Sequence, residues 1–262
     1  MTKKKAVEVD AGSDHRNKFV KLLNRAAQNY SKWEVFTDFL KLTAISISNS
    51  DSYFISTDKE TFDARETEYK RVINKYNKPE RMIFPQLLAE LTMELEDTCS
   101  VQGKYVDVLG ELFHSMDFQD EWKAQFFTPQ LVSDMSGKIL VGIDKAEQAI
   151  KEKGFVTVNE PCCGGGSMIF GCLNALREYG LNPCTQALVI AADLDARCVH
   201  MTYIQLSLYG IPAVVFQQNT LTREKFDKPW YTPIFTVYGW KYKMNRWLNQ
   251  TKAGGEHIEN SV

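Results

Sequence analysis

Val158-Asn159-Glu160-Pro161-Cys162-Cys163-Gly164-Gly165-Gly166-Ser167-Met168 is the stretch on which the reading of the fold turns. The run Phe155-Val156-Thr157-Val158 enters it, and Ile169, Phe170, Leu173 and Leu176 leave it at helical spacing. Strand, glycine-rich turn, helix is the arrangement that lets a ligand approach the backbone at a helix N-terminus. Glycine has no Cβ, so three in succession permit a tight turn and close contact with something bulky. A flexible surface loop is the plainer reading, and the flanking pattern argues against it. The dinucleotide fingerprint matches at Gly164 and Gly166 but meets Ile169 at its third position. The stretch therefore suits a nucleotide-like ligand that needs no pyrophosphate seat.

Outward from this stretch the pattern alternates. Strands are expected at 155–159, 187–192 and 213–217, with a weaker one at 234–238, and helices at 167–179 and 195–208. Such alternation implies a doubly wound parallel sheet of the α/β class with right-handed crossovers. Ligands sit at the carboxyl ends of its strands, where Glu160, Gly164 and Asp193 would lie. A carboxylate at the end of the second strand, Asp193, can accept hydrogen bonds from both hydroxyls of a ribose. Asp195 competes for that role but is better placed to cap the following helix.

Upstream, helices are expected over 131–140 and 144–153. From His15 to about Ile47 the apolar residues recur at helical spacing, with Ser31 and Glu34 forming a capping box between two helices. A polar loop at 48–52, a helix over 63–76 and another from Pro79 to Thr98 complete an N-terminal helical bundle. Residues 1–13 read as a disordered tail, 14–104 as a helical domain and 105–262 as the α/β domain. The aromatic stripe of the bundle reads as core.

The chain has 262 residues, 44% hydrophobic and 24% charged, ordinary values for a globular protein. No apolar run approaches the roughly 18 residues of a membrane helix, and the charged N-terminus has no apolar segment behind it. The six cysteines lack Cys-x-x-Cys spacing, which argues against a zinc site, and are expected as reduced thiols in a cytoplasmic protein. A net charge of −2 with dispersed basic residues provides no general attraction for phosphates. Contact with DNA would then use a local patch or a partner that carries recognition.

Glu160-Pro161-Cys162-Cys163-Gly164-Gly165-Gly166 entering a helix resembles the cofactor loop of adenine-N6 DNA methyltransferases, notably the modification subunits of type I restriction systems. Two further segments resemble that family in the same order. Gln125-Phe126-Phe127-Thr128-Pro129, preceded by Asp107-Val108-Leu109-Gly110-Glu111-Leu112-Phe113, is similar to the segment that closes over the methionine end of S-adenosyl-L-methionine. Ala192-Asp193-Leu194-Asp195 is similar to the second-strand motif whose first acid binds the ribose. The resemblance covers about residues 105–221 and implies a methyltransferase-like α/β fold behind a helical domain. It implies that Glu160 organises the loop, with Cys162 part of it, and that Gly164 and Gly166 lie against the methionine moiety. It sets Phe127 and Thr128 at the cofactor's methionine end, Asp193 and Leu194 at its nucleoside, and Asn219 near the adenine amino group.

The catalytic motif departs from the family. Amino methylases carry Asn/Asp-Pro-Pro-Tyr/Phe, whose side-chain and carbonyl oxygens accept hydrogen bonds from the target amine of a flipped base. The nearest candidate here is Thr232-Pro233-Ile234-Phe235, with Thr232, Pro233 and Phe235 in the catalytic positions. A threonine hydroxyl lacks the amide's acceptor geometry, and losing one well-placed acceptor costs ~2.7–4 kcal/mol by analogy with oxyanion-hole deletions. The aromatic and basic tail (Trp240, Lys241, Tyr242, Lys243, Arg246, Trp247) reads as an amphipathic helix packed on the sheet, or alternatively as a nucleic-acid surface. Two functions are expected to compete. One is adenine-N6 methylation of DNA, with a second subunit or a second copy. The other is a pseudo-methyltransferase that binds the cofactor and acts as a regulatory or interaction protein.

Overall fold

The computed structural model describes residues 14–52, 58–116 and 128–253. Helix α1 (Asp14–Ala26) buries Phe19, Leu23 and Ala26, the one stripe its sequence makes apolar. Helix α2 (Lys32–Ser52) starts where expected, with the Glu34 N–H donating to Ser31 Oγ at 3.0 Å. It continues through 48–52, where a loop was expected. The hydroxyls of Ser46 and Ser50 donate back to the carbonyls of Leu42 and Ile47, and buried Ser48 accepts from Arg65. Serines that satisfy themselves on the preceding turn do not break a helix.

Helix α3 (Lys59–Ile73) is capped by Asp58, and the short α4 (Lys78–Arg81) opens on a complete capping box between Asn77 and Glu80. Helix α5 (Ile83–Ser100) buries Leu87, Leu91 and Leu95, and α6 (Val108–Ser115) is N-capped by Asp107. Helices α7 (Gln130–Val141) and α8 (Ile143–Lys153) lead into the sheet.

The rest of the chain runs β1 (Val156–Glu160), α9 (Ser167–Glu178), α10 (Pro183–Gln186), β2 (Ala187–Asp193), α11 (Ala196–Leu208) and β3 (Ala213–Asn219). Two short strands, β4 (Glu224–Lys225) and β5 (Trp230–Tyr231), and helices α12 (Pro233–Val237) and α13 (Trp240–Ala253) follow. The protein is mixed α/β. Strands β1, β2 and β3 are parallel and adjacent in that order, with Val158 beside Val189 and Ala191 beside Val215. β4 and β5 both return antiparallel on β3, at opposite ends of it.

The strand expected at 234–238 is instead α12. Pro233 cannot donate to a ladder and suits the first turn of a helix, so the chain turns helical directly after Thr232.

Alternation of side chains divides the sheet. Val158, Val189, Ala191 and Val215 face a core that includes Ile169 and Leu173 of α9 and Val199 and Tyr203 of α11. The same buried cluster contains Phe19, Phe39, Leu87 and Leu91 from the N-terminal helices. On the other face Phe155, Leu188 and Val214 pack against Phe235 and Trp240, the Phe155 and Trp240 rings meeting edge-on at 5.4 Å. That cover reaches only the amino half of the strands. Toward the carboxyl half, Asn159, Ala192, Phe216 and Gln218 line an open groove of about 400 Å³, with Arg223 and Lys225 at its margin.

Helices α7 and α9 cross through glycine. A Cβ on Gly171 would stand 2.1 Å from the Ser133 carbonyl oxygen, and one on Gly137 would stand 2.3 Å from the Gly171 carbonyl. Neither helix could carry a side chain there without moving apart. The crossing seats the start of α7 beside the start of α9. No helix of the described residues is long and apolar enough to cross a membrane.

Candidate functional site

The carboxyl ends of β1 and β2 bring Glu160, the glycine loop and Asp193 together. Gly164 (φ 54°) and Gly166 (φ 104°) both take left-handed backbone, which side-chain-bearing residues rarely adopt. Gly166 is the N-cap of α9, so the positive end of that helix opens onto this edge. The loop is hydrogen-bonded from several directions. Cys163 N–H donates to the Ala192 carbonyl (2.9 Å), Gly166 N–H to the Cys163 carbonyl (2.8 Å), and Gly164 N–H to Asp193 Oδ2 (2.9 Å). From α11, Thr202 Oγ1 donates to the Gly164 carbonyl and Gln205 Nε2 to the Gly165 carbonyl, each at 2.9 Å.

Asp193 is half-buried, and its other oxygen accepts from Asp195 N–H at 2.9 Å. Glu160, also half-buried, accepts from Cys162 N–H at 3.1 Å. Burial pushes both carboxyls above the usual carboxylate range. Backbone N–H groups offset part of this for each, and the charge of Asp193 raises Glu160 further. Among the described residues no basic side chain pairs with either one. Two half-buried carboxylates that repel each other would be relieved by positive charge and can accept further hydrogen bonds.

Thr128 joins this site through its backbone. Its carbonyl accepts from Ser167 Oγ (3.0 Å), and that hydroxyl is 3.1 Å from Ser133 Oγ across the glycine crossing. Gln125, Phe126 and Phe127 lie outside the described residues. Leu194 presents a 60% exposed side chain directly after Asp193, and Cys162 is exposed on the loop. Asp195 caps α11, its Oδ1 accepting from Arg197 N–H at 2.9 Å. Asn219 lies at the carboxyl end of β3, but its side-chain oxygen accepts from Leu221 N–H (3.0 Å) and Thr222 N–H (3.3 Å). It organises its own turn.

Thr232, Pro233 and Phe235 are not at this edge, which corrects their expected catalytic placement. β5 carries the chain back along β3, so Thr232 arrives beside Ala213, at the amino end of the strand. That is roughly 20 Å from the carboxyl end at about 3.3 Å per residue. Thr232 is fully buried. Its hydroxyl donates to the Ile211 carbonyl (2.8 Å) and accepts from Ala213 N–H (2.9 Å), which leaves nothing to offer a substrate. Phe235 is buried and stacks on Tyr231 with centroids 5.2 Å apart.

Sequence reasoning missed the residues that hold the loop from behind: Thr202 and Gln205 on α11, and Ser133 and Ser167 between α7 and α9. A signal existed for the first two. Thr202 and Gln205 are polar residues three apart within a helix that is otherwise largely buried and apolar. Buried polar groups at that spacing have partners, and here the partner is the glycine loop.

No protein-family model matches the chain, and no characterised protein was found to be similar to it in sequence.

Proposed function

We propose that the chain is an S-adenosylmethionine-binding protein of the adenine-N6 DNA methyltransferase kind. The observation that carries the reading is the pair of half-buried carboxyls, Glu160 and Asp193, without basic partners among the described residues and flanking a left-handed glycine turn at the mouth of α9. The cofactor's ammonium and sulfonium charges complement those carboxylates, and its ribose offers two hydroxyl donors. Asp193, fixed by two backbone N–H groups, keeps acceptor capacity for the ribose. Glu160 attracts the cationic methionine end, and Gly164 and Gly166 leave space for it. Leu194 offers an apolar surface to the adenine ring.

The cofactor supplies a methyl group on a sulfonium, ready to pass to a nucleophile. For adenine in DNA the receiving amine needs oxygen acceptors beside that methyl. Thr232 cannot provide them. In this reading transfer to DNA requires a partner subunit that brings the acceptors and chooses the sequence. The buried Thr232 also favours a second reading, a cofactor-binding pseudo-methyltransferase with a regulatory or interaction role. Tritiated methyl transfer to unmethylated DNA separates the two. Activity that appears only on adding a partner supports the split enzyme. Inactivity under every pairing, with cofactor binding intact, supports the second reading.

A further inference from the structure

Asp107 is distant in sequence from the glycine loop, yet its carboxyl lies against it. The residue is 3% exposed. Its Oδ1 accepts from Gly110 N–H (2.8 Å) as the cap of α6, and from Gln205 Nε2 (2.9 Å). The same Gln205 nitrogen donates to the Gly165 carbonyl (2.9 Å), while Gln205 Oε1 accepts from Leu109 N–H (3.0 Å). A Cβ on Gly165 would stand 2.2 Å from Asp107 Oδ2, and its three nearest atoms all belong to that carboxyl. Gly165 does not have the left-handed backbone of its neighbours, so the Asp107 carboxyl is what excludes a side chain there.

Capping alone does not explain an aspartate at this position. Serine caps a helix as well, without the cost of burying a carboxylate, but is too short to reach Gln205 and Gly165. That cost is visible in the acid itself: burial pushes Asp107 up to about 6, against the lowering effect of its bonds from Gln205 and Gly110.

We infer that Asp107 and Gln205 form a latch that sets the position of the Gly165 backbone, which makes Asp107 a positioning residue for the cofactor loop. The inference rests on the cofactor reading above. The latch joins three parts of the chain: the cap of α6, the middle of α11 and the turn between β1 and α9. With the Gly165 carbonyl held from behind, the adjoining Gly164 N–H remains aligned on Asp193.

The test uses the full chain and two readouts, calorimetric titration with S-adenosylhomocysteine and amide hydrogen exchange of the loop peptide. Asp107→Ser keeps the cap but is too short to reach Gln205 and Gly165. It should weaken binding by about tenfold or more and speed exchange in the loop, while Asp107→Asn restores both. Gly165→Ala should lose binding, and adding Asp107→Ser should recover part of it by vacating the space that the new methyl needs. Should Asp107→Ser not fold, Gln205→Met removes the same bridge while leaving the Asp107 bond to Gly110 N–H in place, and should give the same two effects.

A purely structural cap predicts wild-type affinity and loop exchange in Asp107→Ser and no recovery in the double variant; that result overturns the latch. If the wild-type chain binds no S-adenosylhomocysteine, the cofactor reading fails. Exchange then decides the latch: faster loop exchange in Asp107→Ser upholds it, and unchanged exchange overturns it.

Discussion

The two ends of the parallel sheet show how differently one fold uses its polar residues. At the carboxyl end the neighbouring loops leave Glu160 and Asp193 half-buried, bonded only to backbone N–H groups and without basic partners among the described residues. At the amino end Thr232 is sealed in, its hydroxyl spent on Ile211 and Ala213. The first end holds polar groups at a cost in free energy and leaves them accessible. The second uses a polar group as a rivet. The proposed function puts the chemistry at the costly end, because an unmet electrostatic demand can be met by a ligand.

The largest effect that would sharpen this contrast comes from the amino end. Trp240→Ala removes a fully buried ring packed on Phe155 and should destabilise the fold by about 3–5 kcal/mol. Chemical denaturation measures it. A loss below about 1 kcal/mol, the scale of a surface substitution, would show that α13 is not part of the core.

Next in size is Thr232→Val, which keeps the shape of the side chain and leaves the Ala213 N–H and the Ile211 carbonyl without their partner. It should cost about 1–3 kcal/mol of stability while cofactor affinity remains unchanged. A catalytic Thr232 would show the reverse, with intact stability and altered activity. That outcome would break the comparison.

Legibility in the sequence followed the same division. The glycine loop could be read because few backbones demand left-handed residues between a strand and a helix, and Gly164 and Gly166 meet that demand. The position of Asp193 could be read because the end of a strand places it at the carboxyl edge of the sheet regardless of tertiary detail. Thr232 was misplaced because a linear offset carries no information about chain direction. The two-residue strand β5, too short to show a period, reverses the chain and delivers Thr232 to the wrong end. The segment 48–52 was misread because serine's preference for turns ignores the Arg65 contact that buries Ser48. The latch on Gly165 was hidden for a similar reason, since Asp107 and Gln205 meet only after α6 and α11 pack together.

A smaller effect separates the two ends by pH. Glu160 and Asp193 have raised pKa values in the folded chain, so protonating them favours the folded state. That contribution is present at low pH and is lost as pH rises through their raised values. Affinity for a cationic ligand moves the opposite way. It should rise as pH climbs from the ordinary carboxylate range near about 4 toward neutrality, with protons released on binding. Titration in two buffers of different ionisation enthalpy measures the release. Affinity independent of pH over that interval would show that these carboxyls do not face the ligand.

The central claim is that the carboxyl edge of β1 and β2 is a cofactor site. Isothermal titration of the purified chain with S-adenosylhomocysteine tests it most directly, beside the same titration of Asp193→Ala. The account predicts one-to-one binding by the wild type and a loss of about 1.5–3 kcal/mol in the variant, the scale of hydrogen bonds to a charged group. Absence of binding by the intact chain, or binding that Asp193→Ala leaves unchanged, would contradict it.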